Sequence, residues 1–156
     1  MRSPNNLTII SGGQSGVDRA ALDYALSNHF QVGGWCPLGR HAEDGTINIR
    51  YPLSDTFSAD LLNRTQFNIL ESDGTLIVVF DEMDEGTQVT FDLARENKKP
   101  VFVWKIEHNR NYQQFRNWLE KNGVHVLNVA GPRESNAVGI YEATLDLMSE
   151  LLGTYD

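Results

Sequence analysis

The sequence lacks several features that would identify a class of protein directly. It has one cysteine, Cys36, in 156 residues, which excludes an internal disulfide and any two-cysteine metal motif. No apolar run approaches the roughly 20 residues of a membrane span, so we expect no membrane partner. Segment 1–10 lacks an apolar core followed by a small-residue cleavage site, so we expect no signal peptide. These absences predict a cytoplasmic protein in a reducing compartment.

Positive charge is also scarce. The chain has 13 Lys and Arg residues against 21 Asp and Glu residues, a formal net charge of −8. A protein this acidic does not attract nucleic acid through its overall field, so we expect no nucleic-acid partner. Any anion site must therefore be built from backbone N–H groups and a few arginines.

Hydrophobic periodicity predicts one α/β domain over residues 1–156. Strands are predicted at 7–11, 31–36, 75–80, 101–104 and 124–129, and helices at 17–25, 58–70, 85–97, 112–122 and 140–151. Segment 37–56 has no clear period and is predicted to be a long loop, which in a compact domain is usually functional or disordered.

The alternation of strands and helices predicts a Rossmann-like three-layer fold. We expect a five-stranded, mainly parallel sheet in the order 2-1-3-4-5, with helices on both faces. In such a sheet the ligand lies beyond the carboxyl ends of the strands, here near a switch point between strands one and three. The loops at that edge are therefore the ones to examine for chemistry.

Loop A (residues 11–16, SGGQSG) joins the first strand to the first helix. Its glycines permit a tight turn and a close backbone approach, and the following helix offers free N–H groups at its positive end. These features favour binding of a phosphate or similar oxyanion. The alternative is a compact turn with Ser15 as the helix N-cap. Arg19, in the first helical turn, is either a ligand contact or a solvated side chain.

Loop B (residues 84–90, DEGTQVT) follows the central strand. Gly86 and Thr87 offer N–H groups and a hydroxyl at the start of a helix. Asp84 and Glu85 make the same segment acidic, which suits a helix N-terminus but repels a phosphate. A solvated acidic cap is therefore an equally good interpretation.

Loop C (residues 131–135, GPRES) follows the last strand. Arg133 can make a two-pronged contact with a phosphate or a carboxylate. Glu134 either orients Arg133 or is a plain first-turn acid, and Ser135 is predicted to be an ordinary N-cap.

The long segment 37–56 adds few candidates. Arg40 is a candidate ligand clamp, and His41 is either a proton shuttle or an exposed side chain. Cys36, just before the segment, is either a soft metal ligand or, as free cysteines usually are, an inert buried residue. The sequence shows no cluster with metal-ligand spacing and no Ser–His–Asp arrangement, so we predict neither a structural metal nor a catalytic residue.

Six segments together carry a family resemblance: SGGQSGVDRAALDYAL, GGWCPLGRHAEDG, YPLSDTFSADLLNRT, SDGTLIVVF, GTQVTFDLA and NVAGPRESNAVGIYEATL. In this order they resemble the molybdenum cofactor carrier proteins, a branch of the SLOG superfamily, over nearly the whole chain. The segments ISGGQSGVDRAALD and NVAGPRES are the most specific.

The resemblance implies a Rossmann-like homo-oligomer, often a tetramer. It implies that the chain binds and stores molybdenum cofactor, a phosphorylated molybdopterin, and passes it to molybdenum-dependent acceptor enzymes. Carried over by position, the ligand-facing residues are Gly12, Gly13, Gln14, Ser15, Gly16, Arg19, Arg40, Gly86, Thr87, Gly131, Arg133 and Ser135.

Three positions depart from the family pattern. Glu85 stands where a second glycine is expected, and Leu38 and His41 stand where basic residues are usual. All three changes make the expected pocket less positive.

Two other functions stay open at this stage. The superfamily includes phosphoribohydrolases, which cleave a nucleoside monophosphate and carry a catalytic glutamate three residues after a Gly-Thr pair. Here that position is Thr90, which cannot act as a general base. A nucleotide-sensing regulatory module is the third interpretation.

Overall fold

The chain alternates strands and helices as the periodicity predicts. In the computed structural model, which describes residues 6–154, the elements are β1 (Thr8–Ile10), α1 (Val17–Ser27), β2 (Gln31–Gly33), β3 (Trp35–Cys36), β4 (His41–Ala42), β5 (Gly45–Thr46), β6 (Ser54–Asp55), α2 (Leu61–Leu70), β7 (Gly74–Val79), α3 (Glu85–Glu96), β8 (Val101–Lys105), α4 (Tyr112–Lys121), β9 (Val126–Ala130) and α5 (Ile140–Leu152). Residues 1–5 of segment 1–10, in which we expected no signal peptide, lie outside the described residues.

The central sheet has five strands in the order β2-β1-β9-β7-β8, and every pairing in it is parallel. The predicted α/β class, with a five-stranded parallel sheet, is confirmed. The predicted order 2-1-3-4-5 is wrong, because the last strand, β9, lies between the first strand and the third. Periodicity identifies a strand by its side chains, but it does not say which strands pair.

The central position of β9 follows from its packing. Leu127 and Val129 are fully buried, and Asn128 is almost so. A Cβ added to Gly131, just after the strand, would lie 2.4 Å from the Val78 carbonyl oxygen of β7. If the strands are renumbered from β9, the order becomes 3-2-1-4-5, that of a dinucleotide-binding fold.

The helices form two groups. Helix α5 packs against α1 and α4, and α2 packs against α3. Leu76 and Val78 of β7 belong to the core cluster that holds side chains of α1, α4 and α5. Because side chains alternate along a strand, Thr75 and Ile77 point to the opposite face, toward α2 and α3. No helix among residues 6–154 is long and apolar enough to cross a membrane.

Segment 37–56 is more ordered than the sequence suggests. Strands β4 and β5 form an antiparallel hairpin, and β6 pairs in parallel with β3. Ile47, Tyr51 and Leu53 of this segment form a second core cluster with Leu22 and Cys36. Two-residue strands carry too little periodicity to be detected from the sequence.

The start of α2 also differs from the prediction. Asp60, not Ser58, is the N-cap, and its carboxylate accepts a hydrogen bond from the Leu62 amide at 2.9 Å. Ser58 instead accepts a hydrogen bond from the Asp60 amide through its hydroxyl, at 2.8 Å.

Candidate functional site

The candidate site is a pocket of about 540 Å³ at the carboxyl edge of the sheet. Its walls come from loop A and the start of α1, from α2, from the start of α3, and from β9 and the residues after it. Six of the twelve predicted ligand-facing residues line it: Gly12, Gln14, Gly86, Thr87, Gly131 and Arg133. The volume is in the range typical of small-molecule sites.

The pocket lies at a switch point, but not the one predicted. The chain leaves β9 toward α5 and leaves β7 toward α3, and these helices belong to the two different helix groups. Since β9 and β7 are neighbours, the crevice opens between them rather than between the first and third strands. Ligands of such sheets bind at a switch point, so the corrected strand order moves the expected site to this crevice.

Loops A and C meet beside the pocket, as predicted. The Val17 amide donates to the Pro132 carbonyl at 3.3 Å. Gly16 has a φ of +81°, and a Cβ there would lie 2.5 Å from the same carbonyl oxygen. Glycine is therefore required at this position for both its conformation and its lack of a side chain.

The two loops hold a carboxylate of the protein itself. Glu43, in the turn between β4 and β5, accepts hydrogen bonds from the Ser15 hydroxyl, from the Ser135 amide at 3.1 Å and from the Ser135 hydroxyl at 2.5 Å. The hydrogen bonds from Ser135 and Ser15 lower the pKa of Glu43. Neither serine is the predicted helix N-cap, because Gly16 is the N-cap of α1 and Gly139 is that of α5. Neither lines the pocket.

Arg19 is used in the same junction. Its Nη1 and Nη2 atoms contact Asp44 at 2.9 and 3.1 Å, and Nε donates to the Gly13 carbonyl at 3.1 Å. Arg19 therefore fixes the β4–β5 hairpin to loop A. Gly13 has a φ of +79°, and a Cβ there would lie 2.6 Å from a methyl group of Leu53. Neither Arg19 nor Gly13 lines the pocket.

Arg40 organises the segment that follows it. It donates to the carbonyl oxygens of Ile47, Leu53, Asn48 and Tyr51 at 2.9–3.2 Å. The structure thus places this predicted clamp outside the pocket, with each nitrogen of its guanidinium bonded to the backbone.

Loop B supplies a helix cap. Asp84 is the N-cap of α3 and accepts from the Thr87 amide at 3.0 Å and from Asn136 Nδ2 at 2.8 Å. Burial acts to raise the pKa of Asp84, but the hydrogen bonds from the Thr87 amide and Asn136 outweigh it, and the pKa is lowered. Asp84 is therefore an acidic helix cap, as the second interpretation of loop B proposed. Glu85 is exposed and lines the pocket.

Arg133 of loop C makes one long ion-pair contact, with Glu43. Its side chain is 46% exposed, and its Nε lies 3.7 Å from Glu43 Oε1. Glu134 does not orient Arg133. It accepts hydrogen bonds from the Gly139 amide at 2.6 Å and the Tyr141 amide at 2.9 Å, at the start of α5.

The pocket also contains residues that the sequence analysis missed. Arg64 of α2 donates through Nη1 to Asp18 Oδ2 of α1 at 2.9 Å, and the two side chains are 13% and 7% exposed. Burial raises the pKa of Asp18, and the Arg64 guanidinium opposes this effect. Arg64 lies in the segment YPLSDTFSADLLNRT, so a motif was available, but its chemistry depends on how α2 packs.

Amide and hydroxyl groups complete the missed set. Asn128 of β9 donates to Thr75 Oγ1 at 3.2 Å. Asn68 of α2 bonds to both the amide and the carbonyl of Trp35, at 2.8 and 3.0 Å. Thr90 donates to the Gly86 carbonyl at 3.3 Å. A polar residue within an apolar strand, as at Asn128, was the signal that could have marked the pocket.

The other candidates lie elsewhere. Cys36 is fully buried, and burial raises the pKa of its thiol, so the inert interpretation fits. Leu38 and His41 are exposed and do not line the pocket. The fold also brings together the exposed side chains of Asp81, Glu107 and His108. His108 Nε2 lies 2.9 Å from Asp81 Oδ1.

A family model and a solved structure, compared with this chain, both indicate the same family. The family model described as "Circularly permutated YpsA SLOG family" matches residues 9–152. The chain is similar to the crystal structure of the "Putative molybdenum carrier protein" of Syntrophus aciditrophicus SB, at 38% sequence identity and a TM-score of 0.90. That similarity covers 95% of this chain and 96% of the other. No curated protein matches the chain.

The strand order gives the permutation a structural meaning. β9 and α5 occupy the place of the first strand and helix in the 3-2-1-4-5 order, although they come last among the elements of residues 6–154. With a family model that spans most of its length and a solved structure that matches it end to end, the chain belongs to the circularly permuted YpsA branch of the SLOG family.

Proposed function

We propose that the chain binds a phosphorylated small molecule in the pocket between β9 and β7, and that this ligand is molybdenum cofactor. In this proposal the protein stores the phosphorylated molybdopterin in the cytoplasm and passes it to molybdenum-dependent acceptor enzymes. The observation that carries the proposal is the convergence of loops A, B and C, with two arginines, on one pocket of small-molecule size.

The lining of the pocket suits a ligand that is part anion and part ring. Leu61, Leu62 and Val89 are exposed and line it, and they offer an apolar surface to a flat heterocycle. Asn128 and Asn136 offer amide groups to polar ring edges. Small-molecule sites commonly combine an apolar lining with a few well-placed polar groups.

The solved relative supports the choice of ligand. That protein's name describes a molybdenum carrier, and its fold matches this chain over nearly all of both lengths. Among the predicted ligand-facing residues, we assign direct contact to the six that line the pocket. The other six, Gly13, Ser15, Gly16, Arg19, Arg40 and Ser135, support the loops that shape it.

We also propose a homo-oligomer. Phe57 is 88% exposed and contacts Phe67 of α2 edge to face. Leu61 and Leu62 of the same helix are each 47% exposed. An apolar surface of this kind on α2 is suited to burial against a second copy.

The test of the proposed function is mass spectrometry of small molecules released from gently purified protein. We expect molybdopterin or its oxidation products, together with molybdenum in the bound fraction. Release of a nucleotide instead would favour the sensing module and contradict the carrier proposal. Transfer is tested by adding loaded protein to a cofactor-free molybdoenzyme and measuring the recovery of its activity.

A further inference from the structure

We infer that Arg64 is the main cation that binds the anionic group of the ligand. Arg64 is not among the arginines that the sequence predicted to face the ligand. The inference rests on the proposed function, because it concerns the same pocket. Its basis is how each arginine near the pocket uses its N–H groups.

Arg64 reaches the pocket from α2 by crossing over loop A. A Cβ added to Gly12 would lie only 1.7 Å from Arg64 Nη1 and 2.5 Å from its Cδ. Gly12 has no positive φ that would explain a glycine by conformation. The absent side chain at position 12 is therefore what lets the Arg64 side chain lie against loop A.

The donors of Arg64 are largely unused. Nη1 binds Asp18, Nε is buried and has no hydrogen-bond partner, and Nη2 bonds to no residue within 6–154. Arg19 and Arg40, by contrast, use every guanidinium nitrogen on the protein. Nε is closed to solvent and out of reach of a ligand, so the open donors of this pocket-lining guanidinium are those of Nη1 and Nη2. Buried or partly buried donors are nearly always paired in folded proteins, and these donors are therefore suited to a partner outside the chain.

Asp18 acts as the positioning residue. Its Oδ2 accepts from Arg64 and also from the Gln14 amide of loop A, at 3.3 Å. One amino group of the guanidinium is therefore fixed. The N–H groups left open on Nη1 and Nη2 lie in one plane and suit an anion with two or more terminal oxygens, such as a phosphate monoester.

Arg133 is the other arginine among the residues that line the pocket. It lies in loop C, lines the same pocket and is 46% exposed, whereas the Arg64 side chain is 13% exposed. A partly desolvated charge is screened less by water and salt. Asp18 offsets part of the charge of Arg64, so the larger share that we assign to Arg64 comes from its fixed, partly desolvated N–H groups.

The test is a titration of the full-length protein with two probes. The first is ribose 5-phosphate, a simple phosphate monoester, and the second is molybdenum cofactor released from a molybdoenzyme. We expect Arg64→Gln to weaken binding of the phosphorylated probe about tenfold or more. Arg64→Lys, which keeps the charge but loses the fork, should recover part of the affinity. Arg95→Gln, on the exposed side of α3, is the matched control and should bind like wild type.

Removing one partner of a buried ion pair can prevent folding. If Arg64→Gln does not fold, the double variant Asp18→Asn/Arg64→Gln replaces the pair with neutral amides and takes its place in the titration. A merely structural ion pair would change the melting temperature but not the affinity of the folded protein or its salt dependence. Added salt should weaken wild-type binding more than binding by the variant.

The outcomes separate this inference from the proposed function. Equal cofactor binding by wild type and a folded Arg64 variant would overturn the role of Arg64 and leave the carrier proposal intact. Ribose 5-phosphate binding that depends on Arg64, without cofactor binding by wild type, would support Arg64 and refute the cofactor as cargo. Failure of wild type to bind either probe would overturn both.

Discussion

Ser135 Oγ donates a 2.5 Å hydrogen bond to Glu43 Oε1, and this contact fixes the β4–β5 hairpin to the loop after β9. The same carboxylate is bound by Ser15 of loop A. An anion therefore does sit between the two glycine-containing loops, but it belongs to the protein. The serines of both loops build the wall of the site, and the ligand pocket lies beside them.

Replacement of Glu43 by glutamine should lower stability in a pH-dependent way. The pKa of Glu43 is lowered in the folded protein from an ordinary value of 4.5, so its ionised form stabilises the fold. That contribution is present above about pH 4.5 and disappears as the pH falls through the folded-state pKa. At pH 7 we expect a loss of about 1–2 kcal/mol and a Tm about 2–8 °C lower.

Thermal melts from pH 7 to pH 3 measure this effect. The difference between wild type and Glu43→Gln should shrink as the pH falls. Glu82→Gln, at an exposed position, is the control and should follow the wild-type curve. A constant difference at all pH values would show that the charge of Glu43 is not the cause.

Arg40→Lys should destabilise the protein without a matching loss of ligand binding. An ammonium cannot replace a guanidinium that bonds to four carbonyl oxygens. Three of these hydrogen bonds are partly buried, and leaving such acceptors without donors costs about 1 kcal/mol each, so we expect a loss of about 2–3 kcal/mol in denaturant unfolding. Affinity for the cofactor should change less than about twofold. A large loss of affinity in the folded variant would restore Arg40 as a ligand clamp.

Arg133→Ala should weaken ligand binding only modestly. Its side chain is 46% exposed and its contact with Glu43 is 3.7 Å long, so water screens its charge. Exposed ion pairs contribute about 0.2–1 kcal/mol, which corresponds to at most about a fivefold loss of affinity. The Tm without ligand should stay near the wild-type value. A loss of a hundredfold in calorimetric titration would reverse the order of importance assigned to Arg64 and Arg133.

The chain should not hydrolyse nucleoside monophosphates. Thr90 stands where phosphoribohydrolases carry a glutamate, is 7% exposed and donates its hydroxyl hydrogen to the Gly86 carbonyl. A threonine hydroxyl held in this way cannot act as a general base near neutral pH. Incubation with AMP should release no ribose 5-phosphate above a protein-free blank. Turnover of about 1 per second or faster would make the chain an enzyme.

Light scattering should give a mass that is a multiple of the 17.6 kDa chain. The exposed apolar side chains of Phe57, Leu61 and Leu62 are the proposed contact. Leu61→Lys should therefore reduce the mass at micromolar concentration, and Leu26→Lys, on α1, should not. A monomer mass for the wild type would remove this proposal.

The sequence predicts the element types well because each is set by local pattern. Strand β7 contains the apolar run 76–79 and is buried at all six positions, and α1 repeats buried residues at helical spacing. The strand order could not be obtained in the same way. The pairing of Thr8 with Val126 depends on contacts between distant parts of the chain, and no local property of either residue specifies it.

In the candidate site, too, the residues set by local pattern could be predicted and those set by distant contacts could not. Gly12, Gly86 and Gly131 were predictable because glycine near the end of a strand or the start of a helix has few interpretations. Arg19 and Arg40 have the residue type and loop position of ligand contacts, but Asp44 and nearby carbonyl oxygens bind them instead. Arg64 could not be placed until α2 was known to lie across loop A.

The central position of β9 has a consequence for the folding of the chain. Strands β1 and β2 pair with each other, as do β7 and β8, but β9 alone joins these two pairs into one sheet. It follows the other four strands in the chain, so the two halves of the sheet remain separate until β9 has been synthesised. The unpaired edges of β1 and β7 are then exposed on the nascent chain, where they can pair with other molecules. Closing contacts as distant as Thr8 to Val126 is slow compared with forming local structure. We therefore expect the pairing of β9 to limit the folding rate, and the open edges of β1 and β7 to promote aggregation until that pairing is complete.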